Sequence, residues 1–106
     1  MKSITPSELE KCLESGDSVR LLDVREEGEW AICSIPGGIL RPLSRAEAWL
    51  AEEAQSAEPV VVYCHHGIRS ARVCEALRHL GKENVRNLTG GIDAWRVDVN
   101  PSMPAY

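Results

Sequence analysis

The feature that most restricts the fold is Val60-Val61-Val62-Tyr63, which runs straight into Cys64-His65-His66-Gly67-Ile68-Arg69-Ser70. An apolar, β-branched run with no polar alternation is the pattern of a strand buried on both faces, as in the centre of a parallel sheet. Beyond it, Val73, Leu77 and Leu80 recur at helical spacing and Gly81 stands just past them, so residues 70–80 read as a helix. A buried strand passing directly into a helix is the repeating unit of an α/β domain.

The flanking sequence repeats that alternation. Thr5-Pro6-Ser7-Glu8 has the form of a capping box with proline at the first helical position, and Ile4 and Leu9 are spaced as a hydrophobic staple. This first helix should run to Ser15 and stop at a left-handed Gly16. Residues 19–24 follow as a short buried strand, Glu26 to Glu29 as a single helical turn, and Ile35-Pro36-Gly37-Gly38 as a turn without regular structure. Ser44-Arg45-Ala46-Glu47 reads as a second capping box, opening a helix to about Ala54. Residues 85–88 form another strand, and Gly90-Gly91 turns the chain into a short helix carrying Trp95. Trp30, Trp49 and Trp95 are assigned to packing. The expected architecture is one α/β domain over residues 1–106, a parallel sheet of about five strands with helices on both faces, and an irregular tail at 99–106. Ligands of such sheets bind beyond the carboxyl ends of the strands, which directs attention to whatever follows Asp23 and Tyr63.

Composition narrows the partners. The longest strongly apolar run, residues 60–64, is far below the ~20 residues needed to cross a bilayer, and no secretion signal follows Met1, so a cytoplasmic protein without a membrane partner is expected. In that compartment Cys12, Cys33, Cys64 and Cys74 are free thiols. A net charge of −4 argues against nucleic acid, but residues 61–106 alone carry +2 and nine of the twelve basic residues are Arg.

Cys64 stands out chemically because a cysteine between a strand end and a helix N-terminus faces unpaired amides and the positive end of the helix dipole. Both favour the thiolate, and the same amides can cradle an anion beside the sulfur. Gly67 suits a tight loop, and Arg69 can hold an oxyanion or pin the loop. Cys12 and Cys74 have packing explanations; Cys33, on an irregular segment, stays open. Adjacent His65 and His66 would point apart in regular structure, and a zinc site from Cys64, Cys74, His65 and His79 lacks ligand spacing, so no metal is expected. If exposed, the two imidazoles could gain charge near neutral pH and strengthen anion binding.

Taken together, Leu22-Asp23-Val24-Arg25, Glu29-Trp30, Ile35-Pro36-Gly37-Gly38, Val62-Tyr63-Cys64 with its loop, and Leu88-Thr89-Gly90-Gly91-Ile92-Asp93-Ala94-Trp95 resemble the rhodanese-like sulfurtransferases, specifically small single-domain members. The resemblance covers about residues 14–98. It implies that Cys64 takes a sulfane sulfur from thiosulfate or a persulfide, holds it as a cysteine persulfide, and passes it to a thiol, cyanide or protein acceptor without a further cofactor. It also implies binding by the loop His65, His66, Gly67, Ile68, Arg69 and Ser70, with Asp23 and Arg25 bracing the site from a neighbouring strand. The chain departs from the family at Cys33-Ser34, where Gly-His is common, and at Leu40, where an Asn is usual. Cysteine phosphatases and arsenate reductases have five residues between Cys and Arg; here there are four, His65 to Ile68, which fits a sulfur-sized group better. A sulfur carrier or interaction module with little turnover on small donors is the alternative, since the same loop would serve it.

Overall fold

The computed structural model describes residues 2–106 and has the element order β1 (Ser3–Ile4), α1 (Pro6–Glu14), β2 (Arg20–Asp23), α2 (Glu27–Ile32), β3 (Gly38–Leu40), a 3-10 turn (Leu43–Arg45), α3 (Ala46–Gln55), β4 (Val60–Tyr63), α4 (Ile68–His79), β5 (Val85–Leu88) and α5 (Gly91–Asp98). The strands form one five-stranded sheet in the order β1-β5-β4-β2-β3, with every neighbouring pair parallel. β4 is its central strand and is buried along its whole length. The α/β architecture read from the alternation is therefore the observed one.

Period-two geometry sends the side chains of β4 to opposite faces and gives the domain two apolar layers. Val61 and Tyr63 pack with Ile4, Leu9, Leu88, Ile92 and Trp95 under α1 and α5. Val60, Val62 and Cys64 pack with Trp49, Val73, Cys74 and Leu77 under α3 and α4. Helices on both faces follow directly from strands with no polar side.

The boundaries show where local signals hold and where they yield. Thr5 caps α1 as expected: the Glu8 amide donates to Thr5 Oγ1 at 3.2 Å and the Thr5 amide to Glu8 Oε1 at 2.9 Å. The second capping box does not form. The Ser44 hydroxyl donates instead to Glu26 Oε1 at 2.6 Å, a 3-10 turn precedes α3, and the helix starts at Ala46 without a side-chain cap. A carboxylate from the preceding segment outcompetes a local amide because a charge-assisted bond is the stronger one. α2 is longer than one turn, ending at Ile32, and two further strands, β1 and β3, extend the sheet edges. α4 begins at Ile68, so Arg69 and Ser70 lie within its first turn. Trp49 and Trp95 are core residues, whereas Trp30 is only half-buried.

Residues 99–106 have no helix or strand, yet they are packed. Met103 is buried against the α1/α5 layer, and Tyr106 reaches the Arg25 guanidinium. No helix among the described residues is long and apolar enough to cross a membrane.

Candidate active site

Cys64 follows β4 directly and is held on its carbonyl side by α5. The Ile92 amide donates to the Cys64 carbonyl at 2.9 Å and the Asp93 amide to the His65 carbonyl at 3.1 Å. This contact needs glycine at position 91, where φ is +63° and a Cβ would stand 2.5 Å from the Cys64 carbonyl oxygen. The loop then turns at Gly67, with φ +103°, which frees the first amides of α4 to face back toward the sulfur.

The sulfur is buried, with Cys64 at 1% exposure, and it is not bare. The Gly67 amide donates to Sγ at 3.0 Å and Ser70 Oγ lies 3.3 Å from it. Burial by itself pushes the thiol up, but the Ser70 hydroxyl and the amides of Ser70, Gly67 and Arg69 outweigh it, so the Cys64 pKa falls below its ordinary value. Cys74, buried without such donors, is pushed up to about 12 by burial and stays a thiol. The fold thus separates a thiolate-forming cysteine from an inert one in the same apolar layer. All four cysteines are unpaired, and Cys33 is held through its backbone: its amide donates to the Glu29 carbonyl at 3.3 Å and its carbonyl accepts from Arg25 Nη2 at 2.7 Å.

Ser70 is itself positioned by Asn87 of β5, a residue that sequence reasoning passed over. Ser70 Oγ donates to Asn87 Oδ1 at 2.6 Å, and Asn87 Nδ2 donates to the Gly67 carbonyl at 3.0 Å. The hydroxyl has one proton, so its bonds to Asn87 and to a Cys64 thiolate are alternatives. A polar residue inside an otherwise buried strand was the available signal for Asn87.

Asp23 and Arg25 are both fully buried and form an ion pair, with Arg25 Nη2 at 2.7 Å from Asp23 Oδ2. Arg25 also donates to the Glu29 and Cys33 carbonyls and, at 2.8 Å, to the Tyr106 hydroxyl. Their contacts tie β2 to α2 and to the chain end, and neither side chain is exposed to a ligand.

Arg69 does not stand free. Its Nη1 and Nη2 donate to Glu29 Oε1 and Oε2 at 2.7 and 2.8 Å, a bidentate pair across the loop. Glu29 also accepts from the Glu26 amide at 3.2 Å and the Tyr106 hydroxyl at 2.9 Å. The Arg69 fork and these further donors draw its pKa down to about 2 despite partial burial.

His65 and His66 do not point apart. The loop backbone is irregular there, and their rings stack with centroids 3.8 Å apart, while Tyr106 stacks on His65 at 3.9 Å. Burial, then the adjacent His66, lower the His65 pKa, so this imidazole does not supply the charge near neutral pH that exposure would have given it. His65, His66 and Asp93 bring ligand atoms within 4.8 Å of one another, although Asp93 also binds Arg96 at 3.1 Å. Ile68, which opens α4, is 71% exposed.

The site is thus a thiolate-stabilising loop closed by helix amides at the carboxyl end of the central strand. The model of the family described as the rhodanese-like domain matches residues 5–98. This chain belongs to the rhodanese-like domain family. It is 39% identical over 106 aligned residues to a probable adenylyltransferase/sulfurtransferase, MoeZ, of Mycobacterium tuberculosis, covering 98% of this chain and 27% of that protein. Among solved structures it superposes on a rhodanese-like domain protein of Staphylococcus aureus with a TM-score of 0.80 at 35% identity, covering 90% of this chain and 91% of that one. The human single-domain sulfurtransferase TSTD1 matches with a TM-score of 0.74 at 28% identity, covering 92% of this chain and 97% of that one. The chain spans about a quarter of the length of several curated relatives it matches.

Proposed function

We propose that the protein is a sulfurtransferase that carries a sulfane sulfur on Cys64. The observation that carries this reading is the donor set around Sγ: the Gly67 amide at 3.0 Å and the Ser70 hydroxyl at 3.3 Å, which lower the thiol pKa in a buried position. In the first half-reaction the Cys64 thiolate attacks the outer sulfur of a donor. With thiosulfate, a new S–S bond forms on Cys64, the bond to the SO3 group breaks, and the electron pair leaves as sulfite. In the second, an acceptor thiolate or cyanide attacks the outer sulfur of the persulfide and Cys64 departs as thiolate. The amides from Gly67 to Ser70 stabilise the anionic sulfur in both steps without rearranging. Asp23 and Arg25 brace the site by holding α2 and the chain end. No cofactor beyond the transferred sulfur is needed, and a reducing compartment such as the cytoplasm suits a mechanism that depends on a free thiol.

Mass spectrometry after thiosulfate or persulfide treatment tests this directly. A reductant-labile gain of ~32 Da, one sulfur atom, on Cys64 is expected, together with its absence in Cys64→Ser. Full sulfur transfer to cyanide or a thiol by Cys64→Ser would refute the reading. A second reading, a sulfur carrier serving one protein acceptor with little turnover on small donors, is favoured by the relatives in which the matched portion is about a quarter of a larger adenylyltransferase/sulfurtransferase. Loading of Cys64 without release to small acceptors would select it.

A further inference from the structure

Arg69 is the only permanently charged cation in the loop from Cys64 to Ser70, and its guanidinium is already engaged. Both Nη atoms are bound by one carboxylate at 2.7 and 2.8 Å. That carboxylate is not free to swing aside, because the Glu26 amide and the Tyr106 hydroxyl hold its two oxygens, and Tyr106 is in turn held by Arg25 at 2.8 Å. Arg25 is fully buried and paired with Asp23. His65 lies between His66 and Tyr106 and is pushed toward its neutral form by burial. The guanidinium groups of Arg69 and Arg25 are therefore both already paired with carboxylates. Ile68, the first residue of α4, is an apolar side chain 71% exposed.

On the sulfur-transfer reading above, we infer that Glu29 is a specificity-determining residue: by occupying the Arg69 fork it turns the site away from dianionic donors such as thiosulfate and toward alkyl persulfides. The cradle amides can hold one negative charge on sulfur, but the second charge of thiosulfate meets no free cation in the loop, and to recruit Arg69 it must displace a bidentate carboxylate. An alkyl persulfide carries at most one charge, and its methylene groups can lie on Ile68. The balanced step is attack of the Cys64 thiolate on the outer sulfur of R–S–SH. The new bond makes Cys64–S–SH, the old S–S bond breaks, and its electron pair leaves on R–S⁻, so no outside oxidant or reductant is required.

The test compares wild type and Glu29→Gln with two donors, thiosulfate and 2-hydroxyethyl persulfide, reading sulfur loading on Cys64 by mass and kcat/KM by product release. Glutamine removes the competing charge and leaves an acceptor of similar shape. The expected result is a gain of about tenfold in kcat/KM for thiosulfate, carried by KM, with less than about twofold change for the persulfide. Calorimetric binding of sulfite should tighten by a similar factor in Cys64→Ser/Glu29→Gln relative to Cys64→Ser. If Glu29→Gln does not fold, Tyr106→Phe, which removes one bond to Glu29, should give a smaller gain for thiosulfate in the same direction. No gain for thiosulfate in a folded variant whose Cys64 still loads overturns the inference while leaving sulfur transfer intact. Failure of both donors to load wild-type Cys64 overturns sulfur transfer itself.

Discussion

Asn87 holds Gly67 by its carbonyl at 3.0 Å, reaching from β5 across to the turn that shapes the cysteine loop. Its other amide atom takes the Ser70 hydroxyl at 2.6 Å, so one buried side chain on a neighbouring strand fixes both the turn and the nearest side-chain donor to the sulfur. Replacing it by alanine leaves the Gly67 carbonyl without that partner in a largely buried setting. Asn87→Ala should therefore lose about 1 to 3 kcal/mol of stability, read as a lower urea midpoint with an unchanged slope.

Ser70 affects the sulfur more directly. It supplies the largest of the contributions that oppose burial and draw the Cys64 pKa down. In Ser70→Ala the midpoint of iodoacetamide alkylation against pH should move upward, toward that of an ordinary thiol. An unchanged midpoint would mean that the loop amides alone hold the thiolate.

Glu29 makes folding sensitive to acid. Its folded pKa of about 2 lies well below the ordinary carboxylate range, so its stabilising effect is complete above about pH 4.5 and is lost as pH falls through 2. The shift corresponds to about 2 to 3 kcal/mol once solvent screening is allowed for. Unfolding measured between pH 6 and pH 2 should show wild type losing this increment, whereas Glu29→Gln, already without it, should have the flatter profile.

Gly91 is intolerant of a side chain for two independent reasons. Its φ is +63°, and a Cβ there would collide with the Cys64 and His65 carbonyl oxygens that anchor α5 to the loop. Gly91→Ala should cost at least ~3 kcal/mol, visible as a large drop in melting temperature, and any folded fraction should show slower alkylation of Cys64 because its loop is displaced.

Met103 fastens the final segment to the core. It is 8% exposed and packs in the cluster that includes Leu9, Ile92 and Trp95. Met103→Ala should destabilise by about 2 kcal/mol, in the lower part of the range for buried methionine truncations. Because Tyr106 lies three residues further on, the same variant should loosen its stacking on His65, detectable as faster proteolysis at the C-terminal end.

The central strand and the position of Cys64 were legible because they depend on local pattern: an unbroken β-branched run, then a glycine-bearing turn into a periodic helix. Thr5 and Glu8 were legible for the same reason, since both halves of a capping box lie within one turn. Ser44 carried an equally good local signal that failed, because Glu26, 18 residues earlier in sequence, offered its hydroxyl a charged partner. The stacking of His65 on His66 was not readable either, because adjacent residues share a face only where the backbone is irregular, and only the packed loop determines that.

Near neighbours and hydrophobic period are enough to set the alternation of strands and helices, the two-sided burial of β4, and the placing of one cysteine at a helix N-terminus. The surroundings of that cysteine come from the packed fold. Asn87 arrives from β5, Glu29 from α2 and Tyr106 from 77 residues beyond Glu29. Hydrogen bonds and ion pairs are short-ranged and directional, so partners distant in the chain act only when the sheet order has brought them within about 3 Å. That is why Arg69, which the sequence leaves open either to hold an oxyanion or to pin the loop, stands in the folded protein as half of a closed pair.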